Sequence, residues 1–170
     1  MAVALNPAYE AIGKGFVQQY YALFDDPEQR PNLVNMYNAE TSFMTFEGMQ
    51  LQGAVKIMEK LTSLTFQKII RQITAVDSQP MFDGGVLINV LGRLQTDEDP
   101  PHAFYVQHDI FRLALHDSLY SLCSTTVFVY CFFQADDDPP HAYSQIFVLK
   151  PLGNSFYCAH DIFRLNIHDS

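Results

Sequence analysis

Two runs of carboxylates, each followed by two prolines, are the groups in this 170-residue chain best placed to do chemistry: Asp97-Glu98-Asp99-Pro100-Pro101 and Asp136-Asp137-Asp138-Pro139-Pro140. Acids this close together in proline turns are solvated hairpin tips whose summed field favours a basic partner. Glu47, between Phe46 and Gly48 at the end of a strand-like run, is a further acid to account for. The six histidines make a poor metal site, because they occur as the copied pairs His102/His141, His108/His160 and His116/His168 and no His-x-x-x-His spacing appears. His160-Asp161 beside Ser155 invites a nucleophilic triad, but the G-x-S-x-G elbow and any Cys-His signature are missing. Gly13-Lys14-Gly15 sits inside a helical pattern and lacks the spacing of a phosphate loop. Cys123, Cys131 and Cys158 are odd in number and form no C-x-x-C pair, so they read as buried thiols in a reducing compartment.

The elements that must position these groups follow from apolar spacing. Asn6 and Pro7 suit a helix start, and Ile12, Phe16, Tyr20 and Leu23 recur at three- and four-residue steps up to Asp25-Asp26-Pro27. A short second helix begins near Pro31 and buries Leu33, Val34 and Tyr37; a third spans 54–61 after the Gln52-Gly53 break. Ser42 to Phe46 reads as a strand closed by a Glu47-Gly48 turn. Strands then dominate: Phe66 to Val76, a turn through Pro80 and Asp83-Gly84-Gly85, and Val86 to Leu94. Helices first and sheet afterwards gives an α+β domain with helices on one side of an antiparallel sheet.

Composition agrees. Hydrophobic residues make up 48% and charged residues 17%, which is the range of a chain that folds. A net charge of -9 disfavours nucleic acid and anionic lipid. The N-terminal residues lack a signal-peptide pattern, and the uncharged stretch from Ser118 to Ala135 suits a doubly buried strand better than a membrane span.

An internal repeat occupies the C-terminal half. Asp97 to Phe104 recurs as Asp136 to Tyr143, and His108 to Ser118 recurs as His160 to Ser170. Only the second copy has a spacer, Ser144 to Ala159, long enough for a strand (Gln145–Leu149), a Pro151-Leu-Gly-Asn154 turn and hence a complete hairpin. Two copies are too few for a solenoid, so this is a partial duplication within one domain covering 1–170, with the inserted segment at about 96–134. Val86 to Gln95 and Thr125 to Gln134 each precede an acidic turn and compete for one slot in the sheet. If the second wins, Asp136 and Asp138 lead the site; if the first wins, the sheet is expected to lack its middle strand.

Several segments resemble the nuclear transport factor 2 family: Ala11 to Asp25, Phe43-Met-Thr-Phe-Glu-Gly48, Glu59 to Ile69, Ile73 to Pro80 and His160 to His168. The resemblance implies a cone-like α+β fold, with a curved antiparallel sheet packed on a long N-terminal helix and two shorter helices, and a homodimer formed through the sheets. It implies binding rather than catalysis and no cofactor. The implied partners are GDP-bound Ran GTPase and Phe-x-Phe-Gly nucleoporins, in the cytoplasm, the nucleus and at the nuclear pore, without nucleic acid or membrane insertion. Residue by residue, the implied acidic rim is Glu47 with Asp97 and Asp99 or Asp136 and Asp138. The implied cavity is Phe46, Leu64, Ile69, His141, Ile146 and Phe163, and the implied nucleoporin site is Tyr9. Phe46 and His141 depart from the bulkier aromatic and the apolar residue usual there.

Two alternatives accompany this reading. One is an aberrant or regulatory splice form with impaired Ran binding, in which an apolar strand such as Val127 to Phe133 disturbs the sheet. The other is a cone-fold isomerase or dehydratase with His141 as base, which rests on fold sharing alone.

Overall fold

The computed structural model describes residues 5–97 and 140–166. Helix α1 runs Tyr9–Phe24, a 3-10 helix covers Arg30–Met36, and α2 spans Ala54–Thr62. The strands are β1 (Phe43–Phe46), β2 (Met49–Gln52), β3 (Ile69–Pro80), β4 (Val86–Thr96), β5 (His141–Leu152) and β6 (Ser155–Asn166), in the spatial order β2-β1-β6-β5-β4-β3. Every pairing is antiparallel except β1 with β6, which is parallel. The sheet is therefore mixed, where an all-antiparallel one was expected; β1 reaches β6 across the fold instead of through a hairpin.

The helices cover one face of this sheet. Alternation along β4 sends Val86, Ile88, Val90 and Leu94 inward and leaves Leu91 exposed. On β5, Tyr143, Gln145, Phe147 and Leu149 point the same way. They meet Val17, Tyr20, Tyr21 and Phe24 of α1, Leu33 of the 3-10 helix, and Ile57 and Leu61 of α2. Tyr20 packs edge-on against Phe147 with ring centroids 4.8 Å apart. Gly13 lets α1 approach the sheet, since a Cβ there would lie 2.1 Å from the Ser78 hydroxyl.

Local expectations were corrected in places. Asn6 accepts from the Ala8 N–H at 3.0 Å in a turn that precedes the helix, so it does not cap α1 itself. Val34 is exposed, because the 3-10 repeat carries Leu33 and Met36 inward and Tyr37 follows them. The β3 strand starts later and ends later than its apolar run, because as an edge strand it can stay paired with β4 through Asp77, Ser78 and Gln79 to a terminal proline.

The competition for a sheet slot has a hybrid outcome. β4, from before the first acidic turn, pairs directly with β5, from after the second, in a continuous ladder from Val86↔Leu149 to Leu94↔His141. Use of the first candidate strand thus leaves the middle of the sheet complete, contrary to expectation. Thr125 to Gln134 lies outside the described residues, as do Asp99, Asp136 and Asp138. Among the described residues, no helix is long and apolar enough to cross a membrane.

Candidate functional site

The ends of β1, β4 and β6 and the starts of β3 and β5 gather at one end of the sheet. Phe46 and Phe163 are laddered partners there, and their rings stack at 5.0 Å. Phe163 stacks in turn on Tyr143 at 5.8 Å. The Lys60 ammonium of α2 lies 5.1 Å above the centre of the Phe46 ring. Leu64, Ile69 and His141 are half-buried around this aromatic floor, Leu64 from the loop after α2, Ile69 from the start of β3 and His141 from the start of β5. Phe46, Phe163, Ile69 and His141 thus lie at that end of the sheet, with Leu64 packed against the core from the loop after α2.

Ile146 is the exception. Its neighbours Gln145 and Phe147 face the helices, so the two-residue period of a strand turns Ile146 to the opposite face, beside Asn89 and Ile162 in the ladder. It cannot line the same slot.

The loop carrying Leu64 is held by a buried cation. Arg30 donates from Nε to the Phe24 carbonyl at 2.9 Å, from Nη1 to Leu64 at 3.1 Å and from Nη2 to Phe66 at 3.4 Å. Its guanidinium also lies over the Phe24 and Phe66 rings. Burial pulls its pKa down, while Asp25 and Asp26 oppose the shift.

Glu47 and Gly48 form the two-residue link between β1 and β2, with φ of 48° and 86°. Positive φ at both positions is the requirement of the I′ hairpin, which usually selects Asn-Gly. Glutamate in the left-handed region is strained, at a cost of roughly 1 kcal/mol. Its Oε1 accepts from the Leu165 N–H at 2.5 Å, and Oε2 lies 3.6 Å from the Arg164 guanidinium. Asp97 sits on the other side of the same end, accepting from the Gln67 N–H at 3.0 Å. Hydrogen bonding to the backbone at Lys68, and then at Gln67, holds its carboxyl below the usual range. Strands β6 and β5 separate the two acids, a gap of three strand spacings or roughly 14 Å.

A second carboxylate lies deep in the core. Asp161 is wholly buried; Oδ2 accepts from the Tyr20 hydroxyl at 3.0 Å and the Tyr37 hydroxyl at 2.8 Å, and Oδ1 from the Gln145 amide at 2.8 Å. Gln145 accepts from the Tyr21 hydroxyl at 2.8 Å. Burial pushes the Asp161 carboxyl up to about 6, and its three donors oppose the shift. Burial first, and then the Asp161 charge, pushes Tyr20 and Tyr37 up as well. Nearby, Arg71 clasps Asp25 with contacts of 2.8 to 3.1 Å and stacks over Tyr21 at 4.1 Å. Burial pulls the Arg71 pKa down, but the hydrogen bonds and charge of Asp25 outweigh it and leave it raised.

An elevated carboxyl between two phenols has the composition of a general base, yet every Asp161 oxygen is engaged and none meets solvent. Its role is structural. The same alternation dismantles the sequence triad, because His160 is exposed while Asp161 is buried. Among the described residues, no group of three His, Cys, Asp or Glu side chains could hold a metal ion.

Tyr9 opens α1 half-buried against the core, with its hydroxyl 3.3 Å from Glu10. Glu10 and Lys14 line a cleft of about 590 Å³ together with Asp77, Ser78 and Gln79. A second cleft, of about 490 Å³, opens on the outer face of the sheet between Arg93, Ser144, Arg164 and Asn166. Sequence reasoning missed Arg164 and Lys60; the alternation of Phe163-Arg164-Leu165 placed beside Phe46-Glu47 could have found the first.

A curved, mixed six-stranded sheet packed on one long helix and two short ones, with stacked aromatic rings and carboxylates at one end, defines a cone-like α+β fold. The family model of the nuclear transport factor 2 (NTF2) domain matches residues 12–113 and 116–165. The chain belongs to the nuclear transport factor 2 family. It is 34% identical over 172 residues to a protein of Caenorhabditis elegans described as "Probable nuclear transport factor 2", covering 99% of this chain and 100% of that one. It is 36% identical over 160 residues to nuclear transport factor 2 of Saccharomyces cerevisiae, covering 93% and 94%. The solved structure of nuclear transport factor 2 from Cryptosporidium parvum superposes with a TM-score of 0.68 at 32% identity, covering 97% of this chain and all of that one.

Proposed function

We propose that this protein is a non-enzymatic carrier that takes GDP-bound Ran into the nucleus through the nuclear pore. Relatives named as nuclear transport factors support the transport role at the coarse level. The observation that carries the finer reading is the stacked Phe46–Phe163–Tyr143 floor with Glu47 on one flank and Asp97 on the other. An aromatic side chain of the partner is buried against those rings, and flanking cations pair with the acids, which supply orientation and on-rate. Acids of the repeated turns, Asp99, Asp136 and Asp138, complete the rim, since the turns adjoin β4 and β5 in sequence. Leu64, Ile69 and His141 are the walls.

Tyr9, beside the cleft lined by Glu10 and Lys14, takes Phe-x-Phe-Gly repeats at low affinity and with fast exchange, as a shuttling carrier needs. The outer face of the sheet, where Phe43, Leu91 and Ile162 are exposed, is the surface through which two copies pair. The whole chain acts as one domain, with the segment at about 96–134 as an insertion between β4 and β5.

Pull-down with GDP-loaded and GTP-loaded Ran tests the reading. The GDP form is retained and the GTP form is not; Glu47→Lys reduces retention about 100-fold, or roughly 3 kcal/mol, with an unchanged circular dichroism spectrum. Equal retention of both nucleotide forms, or full binding by Glu47→Lys, refutes it. Sedimentation shows a compact dimer; a monomer or large aggregates refutes the sheet-face assignment.

A further inference from the structure

We infer that Arg164 is a resident counter-ion of Glu47 that a partner's cation must displace, so that the rim rejects basic chains that bring no aromatic anchor. This rests on the socket reading above and adds a specificity-determining residue to it.

The two oxygens of Glu47 are held unequally. Oε1 is fixed by the Leu165 N–H at 2.5 Å, whereas Oε2 faces Arg164 Nη1 at 3.6 Å, beyond hydrogen-bond range. The exposures differ in the same sense: the Glu47 side chain is 15% exposed and that of Arg164 is 58% exposed. The carboxylate is therefore anchored and its counter-ion is loose. An exposed, single-contact pair of this kind contributes little to stability and is easily exchanged.

Arg164 also has somewhere to go. Its guanidinium lies beside the turn, where a Cβ added at Gly48 would be 3.7 Å from Nη2, and the same residue lines the outer-face cleft of about 490 Å³ with the small or polar Ser144 and Asn166. Strain points the same way: Glu47 is the one non-glycine residue with positive φ among those described, in a turn that asparagine would fill at less cost. A carboxylate is kept at that position although the hairpin does not need one.

The resident cation sets a threshold. A lone lysine gains one ion pair and loses another already made, so it gains little. A lysine that arrives beside an aromatic ring gains the buried ring as well, and that surplus displaces Arg164. The displacement cost is the same for every cation, so it acts as a floor that leaves a chain without an aromatic anchor unbound at working concentrations.

The test uses the full-length protein and two blocked peptides, Lys-Phe-Gly-Lys and Lys-Ala-Gly-Lys, with GDP-loaded Ran as a third ligand. Arg164→Gln keeps the stem and removes the charge. Expected is an affinity that rises about three- to tenfold at low salt for both peptides alike, which brings the Lys-Ala peptide into detectable binding. In the Glu47→Gln background the same change has no effect, which isolates the pair. A purely structural role for Arg164 would give no gain for either peptide. No gain for either peptide, weaker binding by Arg164→Gln, or the same gain without Glu47 overturns the inference while Ran binding leaves the socket reading standing. Failure of every variant to bind any of the three ligands overturns both.

Discussion

Glu47, anchored to β6, and Asp161, carried on it, are carboxylates handled in opposite ways. Asp161 is sealed in the core with three side-chain donors on its two oxygens, whereas Glu47 stands at the sheet's end with one firm backbone donor and one loose cation. A ring path joins the two regions, from Phe46 through Phe163 and Tyr143 to Tyr21, whose hydroxyl donates to Gln145. The contrast separates a charge spent on internal order from a charge left available to another molecule. Saturation of hydrogen-bonding capacity, rather than position on the strand, distinguishes them.

The sharpest way to break the comparison is to remove the internal carboxylate. Asp161→Ala strands two phenols and an amide in the core and is expected to cost about 3–5 kcal/mol by urea unfolding. Removing Glu47 instead, as Gln, is expected to cost about 1 kcal/mol or less of stability while weakening Ran binding, because its anchoring bond survives with a neutral oxygen. Titration sharpens the same contrast. The native Asp161 pKa of about 6 is above its unfolded value, so the native state binds more protons and stability falls as pH rises through the window from about 4 to about 6. The loss attributable to this group is about 2–3 kcal/mol, read as the pH-dependent difference from Asp161→Asn. A further small effect is local to the rim: a Cβ at Gly48 would meet the Arg164 guanidinium at an ordinary 3.7 Å, but Gly48→Ala must adopt φ +86° and is expected to cost about 1 kcal/mol.

Much of this arrangement was legible from residue order. The α1 spacing, the third helix, the Phe43–Phe46 strand and the Asp83-Gly84-Gly85 turn all follow from patterns that local physics enforces. The Glu47-Gly48 turn was readable as a turn, but its positive φ at glutamate was not, because sequence preference favours Asn there. β2 was missed since Met49-Gln50-Leu51-Gln52 is short and only Leu51 is even half-buried. The parallel union of β1 with β6 joins residues more than a hundred positions apart, and no local signal encodes it. Ile146 was carried inward by analogy, yet counting residues from Phe147 sends it outward. Asp161 was overlooked because His160 beside it looks reactive, although consecutive strand residues face opposite sides.

The direct ladder between Leu94 and His141 has a consequence for how this protein can change. Its two strands stay locked across from one another whatever length of chain joins them, so the sheet behaves as a clasp. Closing such a junction costs only about 0.6 kcal/mol for each doubling of the intervening length. The link between β4 and β5 is thus a port where genetic material can be spliced in or trimmed away while the ladder keeps its register.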